Sequence, residues 1–507
     1  MNQTQSPIDF RANVQHVPPH LPAAVRRATT KFLGTRQAVV DVVGDARWQT
    51  LRQAGHDLRL HTLNHLDHYL ALLEEQVTQA GGIVHWARDA AEAQQIVLEI
   101  AREHQVSRAV KVKSMASEEI GLNRALLDAG IQTLETDLGE YIVQLADEGP
   151  SHIIVPALHL TKEGIADLFH AKLGVDAPPD PIALCEIART KLREEFLAAE
   201  MGISGANFMI AETGTLVIVT NEGNGRMCTT LPPLHVAVVG IDKVVPDWEA
   251  VNVLLKLLPR SATGQKMSSY TSFITGPRRA TLEGGPKEFH LVLLDNGRTR
   301  ILQDAVARET LLCIRCGVCL NVCPVYNHVG GHAYGFAYSG PIGAMLTTQL
   351  LGTPVAGDLP FASSLCGACA EYCPVKIPIV EILLRLRRRV VAGDRVAPAV
   401  APAPLRAVAR LGSFAFSVPW LYEFGTQALK FAQLPFRKNN WLPQLPPPFN
   451  RWTMARPLPA FDADFRGWFR QHTPAGRRRE QKKRWGLGVA VAGVLALAAV
   501  IFSRRKK

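Results

Sequence analysis

The stretch of sequence that decides the fold of one domain is Cys313-Ile-Arg-Cys316-Gly-Val-Cys319-Leu-Asn-Val-Cys323-Pro324. Its spacing, C-x2-C-x2-C-x3-C-P, is the bacterial spacing for thiolate ligands of iron–sulfur clusters. The first three thiolates share a tight loop and reach three corners of one cluster, whereas the fourth lies too far round and ligates another cluster. Zinc sites use paired Cys-x2-Cys units instead. The stretch therefore predicts iron–sulfur clusters rather than zinc.

A second run, Cys366-Gly-Ala-Cys369-Ala-Glu-Tyr-Cys373-Pro374, repeats the motif without its first cysteine, and Ser363 stands at that spacing. The two motifs together thus supply seven thiolates, one fewer than two complete 4Fe–4S clusters need. The second cluster is therefore either a 3Fe–4S cluster or a 4Fe–4S cluster with Ser363, water or a partner group on one iron. The usual crossed ligation predicts a complete 4Fe–4S cluster on the first set of ligands and three thiolates on the second set. The first set is Cys313, Cys316, Cys319 and Cys373, and the second is Cys323, Cys366 and Cys369.

The spacer between the two motifs indicates the architecture of this domain. It holds 42 residues, too many for a compact ferredoxin, and residues 379–391 after the second motif are strongly amphipathic. Residues 311–391 are therefore predicted to form an α-helical two-cluster ferredoxin domain, similar to those of succinate-dehydrogenase-like proteins. That similarity is one of fold only.

Residues 45–310 alternate between short apolar runs and amphipathic stretches. The pattern favours a largely parallel α/β domain with some mixed pairing among the later strands. Residues 1–44 are a polar N-terminal extension that is expected to wrap onto this domain. The predicted strands are residues 82–86, 108–112, 131–135, 152–156, 208–212, 215–220, 235–239 and 291–294. The predicted helices are residues 46–80, 90–104, 117–129 (with Ser117 as N-cap), 161–173 and 182–201.

The C-terminal part combines a Pro-rich region with an apolar segment. Residues 392–476 are a Pro-rich C-terminal region, in which residues 405–475 are expected to be irregular apart from a weak helical pattern over 420–433. Residues 485–502 carry no charge, and a helix of that length spans roughly 27 Å, near the thickness of a bilayer core. More basic residues precede this segment than follow it. Residues 477–507 are therefore predicted to anchor the body to the inner face of the cytoplasmic membrane. A helix on the membrane surface or packed on a partner is the alternative.

The charge of the chain is concentrated in that same segment. Lys and Arg number 56 against 45 Asp and Glu, a net charge of +11. Residues 477–507 contribute +9 of it, with ten basic residues and one acidic residue. This distribution argues for an anionic membrane surface rather than for nucleic acid. The N-terminus lacks a secretory signal pattern, so the body is expected in a reducing cytoplasm, where clustered cysteines bind metal rather than form disulfides.

A ligand site is predicted in the α/β domain. Lys113 and Ser114 follow a predicted strand and precede a predicted helix, where α/β domains bind ligands. Glu212, Thr213 and Gly214 lie between two apolar strands, where either a hairpin turn or a backbone anion site fits. The sequence assigns no catalytic residue.

Other polar residues are given structural interpretations. His61, His65 and His68 recur at i, i+4 and i+7 and are interpreted as a polar or half-buried face rather than as metal ligands. Cys185 and Cys228 stand alone in the sequence. They are interpreted as small buried residues, the alternative being that one of them is the missing cluster ligand.

Further stretches carry a resemblance to a known family. They are KVKSMASEEIGLN (111–123), ETDLGEYIVQLADEGPSHIIVPALH (135–159), ETGTLVIVTNEGNGRM (212–227), LPPLHVAVVGIDKVVP (231–246), FITGPRR (273–279), LLDNGR (293–298), GGHAYGFAYSGPIGAML (330–346) and SLCGACAEYCPVKIP (364–378). With these and the first cysteine motif, the chain resembles the bacterial lactate-utilisation iron–sulfur proteins over roughly residues 20–390. In that family a lactate-utilisation domain is fused to a two-cluster ferredoxin-type domain. The apolar C-terminal segment is not part of the family pattern.

The resemblance implies a fold and a function. Residues 45–310 would be a lactate-utilisation domain similar to the ribose-5-phosphate isomerase and CoA-transferase fold. The protein would carry electrons in an NAD-independent complex that oxidises L-lactate to pyruvate, without being catalytic alone. Two partner subunits are implied, a Cys-rich iron–sulfur protein and a lone lactate-utilisation-domain protein. The quinone pool is the expected acceptor because of the predicted membrane anchor. The alternatives are a self-sufficient oxidoreductase with its substrate site in the α/β domain, and a redox-sensing regulatory protein.

Overall fold

The computed structural model describes residues 6–279 and 284–447, and after these only 450, 453, 456–461, 468–469 and 472–474. It divides into two units, Met1–Pro402 and Ala403–Lys507. The predicted membrane segment, residues 477–507, lies outside the described residues. Within the described part of the chain, no helix is both long enough and apolar enough to cross a membrane.

The first unit contains most of the regular structure. Its helices are α1 (Phe10–Gln15), α2 (Leu21–Val43), α3 (Asp45–Asn64), α4 (Leu66–Gln79), α5 (Ala90–Glu103), α6 (Met115–Glu119), α7 (Leu122–Asp128), α8 (Leu138–Leu145), α9 (Lys162–Leu173), α10 (Pro181–Ala198), α11 (Asn224–Thr230), α12 (Trp248–Ala262), α13 (Arg298–Leu302), α14 (Val318–Asn321), α15 (Tyr326–Val329), α16 (Gly340–Leu351), α17 (Thr353–Ala356), α18 (Ala368–Tyr372) and α19 (Ile379–Ala392). Its strands are β1 (Ile83–Ala87), β2 (Arg108–Lys111), β3 (Gln132–Glu135), β4 (Met201–Ser204), β5 (Phe208–Ile210), β6 (Thr215–Thr220), β7 (Leu234–Gly240), β8 (Val244–Val245), β9 (Tyr270–Ile274) and β10 (Glu288–Leu294).

A six-stranded sheet in the order β1-β10-β7-β4-β2-β3 organises the first unit, and every neighbouring pair is parallel. Its central strands are buried on both faces, as the seven buried residues of β7 show. Strands covered on both faces read as continuous apolar runs, which is why the sequence indicated them. The predicted parallel α/β architecture is confirmed.

A second sheet, in the order β8-β5-β6-β9, pairs β6 antiparallel with both β5 and β9. The turn between β5 and β6 contains Gly214 at φ +65°. A Cβ on Gly214 would lie 2.6 Å from the backbone nitrogen of Val77 in α4. Glycine is therefore required at this position, both by its backbone conformation and by the close approach of α4.

Two predicted elements are wrong, one because of a side-chain hydrogen bond and one because of a glycine in the left-handed conformation. The predicted strand 152–156 is a turn, since Nδ1 of His152 accepts the backbone N–H groups of Ile154 and Val155 at 3.0 and 3.2 Å. The predicted helix 117–129 is the two helices α6 and α7, separated at Gly121 with φ +63°. The N-cap of α6 is Ser114, which accepts from the backbone N–H of Ser117, and not Ser117 itself.

The helix predicted at 46–80 is broken at His65 (φ −124°, ψ 34°) into α3 and α4. Residues 1–44, expected as an extension, are largely helical in α1 and α2. The buried positions of α2 include the polar residues Thr29 and Arg36, which weaken the apolar periodicity that would have indicated a helix. Helix α10 ends at Ala198, three residues before the predicted end of the helix 182–201, and strand β4 begins at Met201.

The second unit is more regular than the sequence suggested. The weak helical pattern over 420–433 is confirmed by α21 (Pro419–Ala432), but a second helix, α20 (Ala403–Ser417), precedes it. Two short strands, β11 (Trp441–Leu442) and β12 (Leu458–Pro459), pair antiparallel. The prediction that this region is irregular is therefore wrong for the two helices.

The cysteine-bearing segment packs on the N-terminal helices of the first unit. Helices α14, α16 and α19 share one buried core with α2, α3 and α12. The fully buried Arg59 of α3 donates hydrogen bonds to the carbonyls of Val244 and Leu311, both at 2.9 Å. Residue Gly331 packs so closely that a Cβ there would lie 1.8 Å from the carbonyl oxygen of Ser151. Contacts distant in sequence therefore fix the cysteine loops against the α/β layers.

His235 of β7 makes the stability of the fold depend on pH. Its side chain is fully buried, its Nε2 pairs with Ser204 Oγ at 2.8 Å, and burial lowers its pKa from 6.5 to about 3. The unfolded chain therefore binds more protons than the folded chain between these two values. Stability is present above about pH 6.5 and is lost as the pH falls toward 3, by roughly 1.4 kcal/mol per pH unit for this group.

We expect His235→Gln to lower the urea midpoint at neutral pH and to make its further fall on acidification shallower. Urea unfolding from about pH 7 to pH 5 measures both effects. The exposed His61 supplies the matched control, His61→Gln, which should fall as steeply as wild type. An equally steep fall for His235→Gln would show that another group carries the acid sensitivity.

Candidate iron–sulfur centre

All seven cysteines between residues 313 and 373 belong to the part of the chain that the structure describes. Five of them are buried, Cys313 is partly buried and Cys366 is exposed. The two motifs lie far apart in sequence but meet where α14 packs on α18. The cysteines therefore form one centre that is buried at one end and exposed at the other.

Electrostatic interactions connect Cys373 to the first motif. Burial raises the pKa of Cys316, and the neighbouring sulfurs of Cys313 and Cys373 raise it further. The pKa of Cys373 is raised to about 11, by burial first and then in part by Cys313. Cys373 thus lies with Cys313 and Cys316, although it follows Cys369 by only four residues in the sequence.

The remaining interactions join Cys323 of the first motif to cysteines of the second motif. Burial raises the pKa of Cys369 to about 12, with Cys323 as the next cause and Cys366 as a smaller one. The pKa of Cys323 is also raised by burial and by Cys366. Cys319 interacts with Cys313 and Cys316, and also with Cys369 of the other set. These groupings support the crossed ligand sets.

The backbone around the sulfurs suits clusters of thiolate ligands. Gly317 and Gly367, each directly after a cysteine, have φ +74° and +89° and precede α14 and α18. Backbone N–H groups point at three of the sulfurs, at 3.4 Å for Arg315 to Cys313, 3.5 Å for Tyr326 to Cys323 and 3.4 Å for Ile377 to Cys373. Hydrogen bonds to sulfur stabilise the thiolate form and tune cluster potentials. The donor set therefore fits two iron–sulfur clusters.

The same sulfurs do not fit a zinc ion. Ligands around one tetrahedral zinc, with Zn–S near 2.3 Å, must lie close to one another. Among the described residues, the one group of three donors whose ligand atoms all lie within 4.8 Å of one another is Glu148, His159 and His332. No three cysteine sulfurs in the described chain meet that distance. The wider spread of the cysteines is consistent with a multi-iron cluster.

Sequence reasoning missed a layer of basic side chains around the first set. Arg52 of α3 donates to the carbonyl of Cys373 through Nε at 2.9 Å and Nη2 at 2.7 Å. Lys243 donates to the carbonyl of Cys313 at 3.0 Å, and Arg36 lies over the ring of Tyr372 at 4.6 Å. The position of Arg52 on the buried face of α3 could have indicated this role, because a buried arginine needs hydrogen-bond acceptors.

A cavity of about 530 Å³ lies at the carboxyl ends of the adjacent strands β2, β4 and β7. Ligands of open parallel sheets bind at this edge. Lys113 and Ser114 line the cavity on one side, and Arg315 and Tyr338 of the cysteine segment line it on another. The cavity therefore joins the α/β domain to the loop that carries the first cysteine motif.

The structure divides the five-residue ligand site that the sequence predicts. Lys113 and Ser114 are part of the cavity lining, but Glu212, Thr213 and Gly214 are not. Those three residues form the tight turn between β5 and β6 that packs on α4. The hairpin interpretation of that stretch describes its local structure.

The isolated cysteines and the histidine row lie elsewhere. Cys228 is fully buried, 3.2 Å from Thr136 Oγ1, in a core region without the seven motif cysteines. Cys185 is exposed on α10, so its interpretation as a buried residue is wrong. His61 pairs with Tyr69 at 3.0 Å, and helix α3 ends before His65. Among the described residues the three histidines form no metal-binding group.

Comparisons with known proteins match both parts of the first unit. The LUD domain model matches residues 70–294, and the 4Fe-4S dicluster domain model matches residues 309–377. A lactate utilization protein B from Shouchella clausii is 47% identical over 432 residues, covering 85% of this chain and 90% of that protein. An uncharacterized electron transport protein YkgF from Escherichia coli is 44% identical over 475 residues, covering 93% of this chain and 98% of that protein.

A solved structure is also similar, at a lower level. A crystal structure of a DUF162 family protein from Deinococcus radiodurans covers 45% of this chain and 98% of that chain, with 15% identity and a TM-score of 0.26.

Proposed function

This chain belongs to the lactate utilization protein B family, and from that membership we propose that it is the electron-transfer iron–sulfur subunit of an L-lactate-oxidising complex. Family membership establishes that the chain is an iron–sulfur protein with a role in lactate utilisation. The proposal adds that lactate is oxidised to pyruvate without NAD and that the electrons pass through this protein. Its α/β domain is proposed to share the ribose-5-phosphate isomerase and CoA-transferase-like fold.

The observation that carries the proposal is the exposure of one cysteine of the second set. Cys366 is exposed, whereas Cys323 and Cys369 of that set are buried. In the first set Cys316, Cys319 and Cys373 are buried and Cys313 is partly buried. When bound, iron–sulfur clusters exchange single electrons with donors and acceptors nearby. A deep set next to a set that reaches the surface suits passage of electrons between the interior and a docked partner.

The basic residues around the first set favour the same role. Arg52 and Lys243 hold the backbone of cluster-binding cysteines, and Arg36 lies close enough to Cys316 to affect its electrostatics. Positive charge close to a redox centre stabilises its reduced, more negative form. The first centre would therefore accept an electron more readily than the same buried centre without these cations.

The proposed complex includes two partner subunits, a Cys-rich iron–sulfur protein and a lone lactate-utilisation-domain protein. We also propose the membrane quinone pool as acceptor, with residues 477–507 holding the body at the inner face of the cytoplasmic membrane. The support for this attachment is the sequence alone, which places ten basic residues around an uncharged apolar segment.

The test is reconstitution of the purified chain with proteins of the two partner classes and quinone-containing vesicles. We expect L-lactate-dependent quinone reduction only when all three proteins are present, and most of it to be lost in Cys366→Ala. The control is Cys185→Ala, which removes another exposed cysteine, outside both motifs, and should retain full turnover. Lactate oxidation by this chain alone with an artificial acceptor would overturn the pure electron-transfer role. Unchanged turnover of Cys366→Ala would favour the redox-sensing alternative.

A further inference from the structure

The cavity at the carboxyl ends of β2, β4 and β7 contains a buried cation whose hydrogen-bond donors are unused. All three guanidinium nitrogens of Arg315 are buried without a hydrogen-bond partner among the described residues. The nearest carboxylate oxygen is Asp242 Oδ2 at 3.7 Å, the ring of Tyr338 lies at 5.0 Å, and, against the effect of burial, the sulfur of Cys313 is the neighbour that raises the pKa of Arg315 most. Buried charged groups without hydrogen-bond partners are costly, so the free donors of an arginine that lines a cavity favour the binding of an anion.

Asp242 makes no hydrogen bond to Arg315, and two other cations share its charge. Its Oδ1 accepts from Arg298 Nε at 2.6 Å, and its Oδ2, which has no hydrogen-bond partner among the described residues, lies 3.2 Å from Lys243 Nζ. The planar donor fork of arginine matches the two oxygens of a carboxylate, which makes a bidentate carboxylate the natural counter-ion.

Two further unused groups line the same cavity. Within the described part of the chain, Lys113 Nζ is buried without a hydrogen bond, and its nearest carboxylate oxygen, Glu140 Oε1, is 3.8 Å away. The side chain of Asn224 is buried, and its Oδ1 has no partner among the residues that the structure describes. The cavity thus offers unused donors for an anion and an unused acceptor for a hydroxyl group.

We propose that this cavity binds a small 2-hydroxy or 2-oxo monocarboxylic acid, whose carboxylate is held by Arg315 with Lys113 and whose 2-hydroxyl group donates to Asn224. The cavity volume of about 530 Å³ falls in the usual range for ligand sites and exceeds the needs of a three-carbon acid. Longer side chains therefore fit the same site along its apolar wall, which includes Ile142 and Ile153.

The location of the site gives it a consequence for electron transfer. Arg315 lies between Cys313 and Cys316, and its backbone N–H points at Cys313 Sγ at 3.4 Å. An acid bound to Arg315 is therefore held by the same loop that carries the first cysteine set. The site deepens the proposed function by placing the organic acid on this protein, and it depends on that function only for lactate and pyruvate as the acids to test.

The experiment is equilibrium binding of radiolabelled lactate and pyruvate to the full-length, cluster-loaded protein. Competition by propionate, 2-hydroxyhexanoate and inorganic phosphate then tests the hydroxyl group, chain length and anion type. We expect saturable binding that weakens at least about tenfold in Arg315→Met and in Lys113→Met. Arg315→Lys should recover part of it, and Asn224→Leu should selectively lose the preference for lactate over propionate. Exposed Arg124 supplies the control Arg124→Met, expected to bind as wild type.

Iron content and thermal midpoint are measured for every variant, so that Arg315→Met is compared only in protein that keeps its clusters. The proposal is overturned if cluster-loaded wild type binds neither acid, if phosphate competes as well as lactate, or if both Arg315→Met and Lys113→Met bind as wild type does. Absence of binding together with intact turnover of the reconstituted complex would remove this site and leave the electron-transfer role standing. If the protein bound lactate but its omission left quinone reduction by the complex unchanged, this site would stand and the electron-transfer role would be removed.

Discussion

Cys373→Ala is expected to remove the first cluster and to leave the second, although Cys373 belongs to the second motif in the sequence. The reason is that Cys373 lies with Cys313 and Cys316 in the folded chain. Iron and sulfide analysis should show a loss of about four iron atoms per chain. Low-temperature EPR should show that the signal remaining is the one that disappears in Cys366→Ala.

The two variants form a matched pair because their cysteines lie in the same motif, seven residues apart. If ligation followed the order of the sequence, Cys373→Ala and Cys366→Ala would remove the same signal. That result would contradict the crossed ligand sets. Cys228→Ala, in a separate core region, is the control and should keep the full iron content.

Arg298→Met is expected to destabilise the first unit by about 3–5 kcal/mol, because it leaves buried carboxylates without their partner. Arg298 is buried and holds both oxygens of Glu119, through Nη1 and Nη2 at 2.8 Å, and Asp242 through Nε at 2.6 Å. Tyr338 also donates to Glu119, at 2.7 Å. The pKa of Glu119 is held low by Arg298 against the effect of burial, so the carboxylate stays charged in the fold.

The effect is measured as the shift of the urea midpoint of the cluster-loaded protein relative to wild type. Arg124→Met is the matched control, since Arg124 makes an exposed i, i+4 pair with Asp128, and it should cost at most about 0.5 kcal/mol. A fall of less than about 1 kcal/mol in the free energy of unfolding of Arg298→Met would contradict this expectation. It would mean that Glu119 takes up a proton and that the hydrogen bonds of Arg298 are not the main interaction between the elements they join.

Much of the secondary structure could be read from the sequence because it depends on local patterns. Strand β6 has the predicted bounds, and β7 and β10 differ from the prediction by a few residues at their ends. Errors occurred where a side chain ended an element, as His152 does by accepting backbone N–H groups. They also occurred where polar residues occupy buried helix positions, as Arg36 does in α2.

The sequence by itself determined the cofactor class and the ligand residues to be tested, because the spacing of thiolates on a short loop is a local property. Only the tertiary structure decided what surrounds them. Arg52 and Lys243 reach the cysteine loops from distant elements, and Arg315, Lys113 and Asn224 line one cavity although they are separated by up to about two hundred residues. No local pattern encodes such a set, because contacts of that kind form only when distant elements pack together.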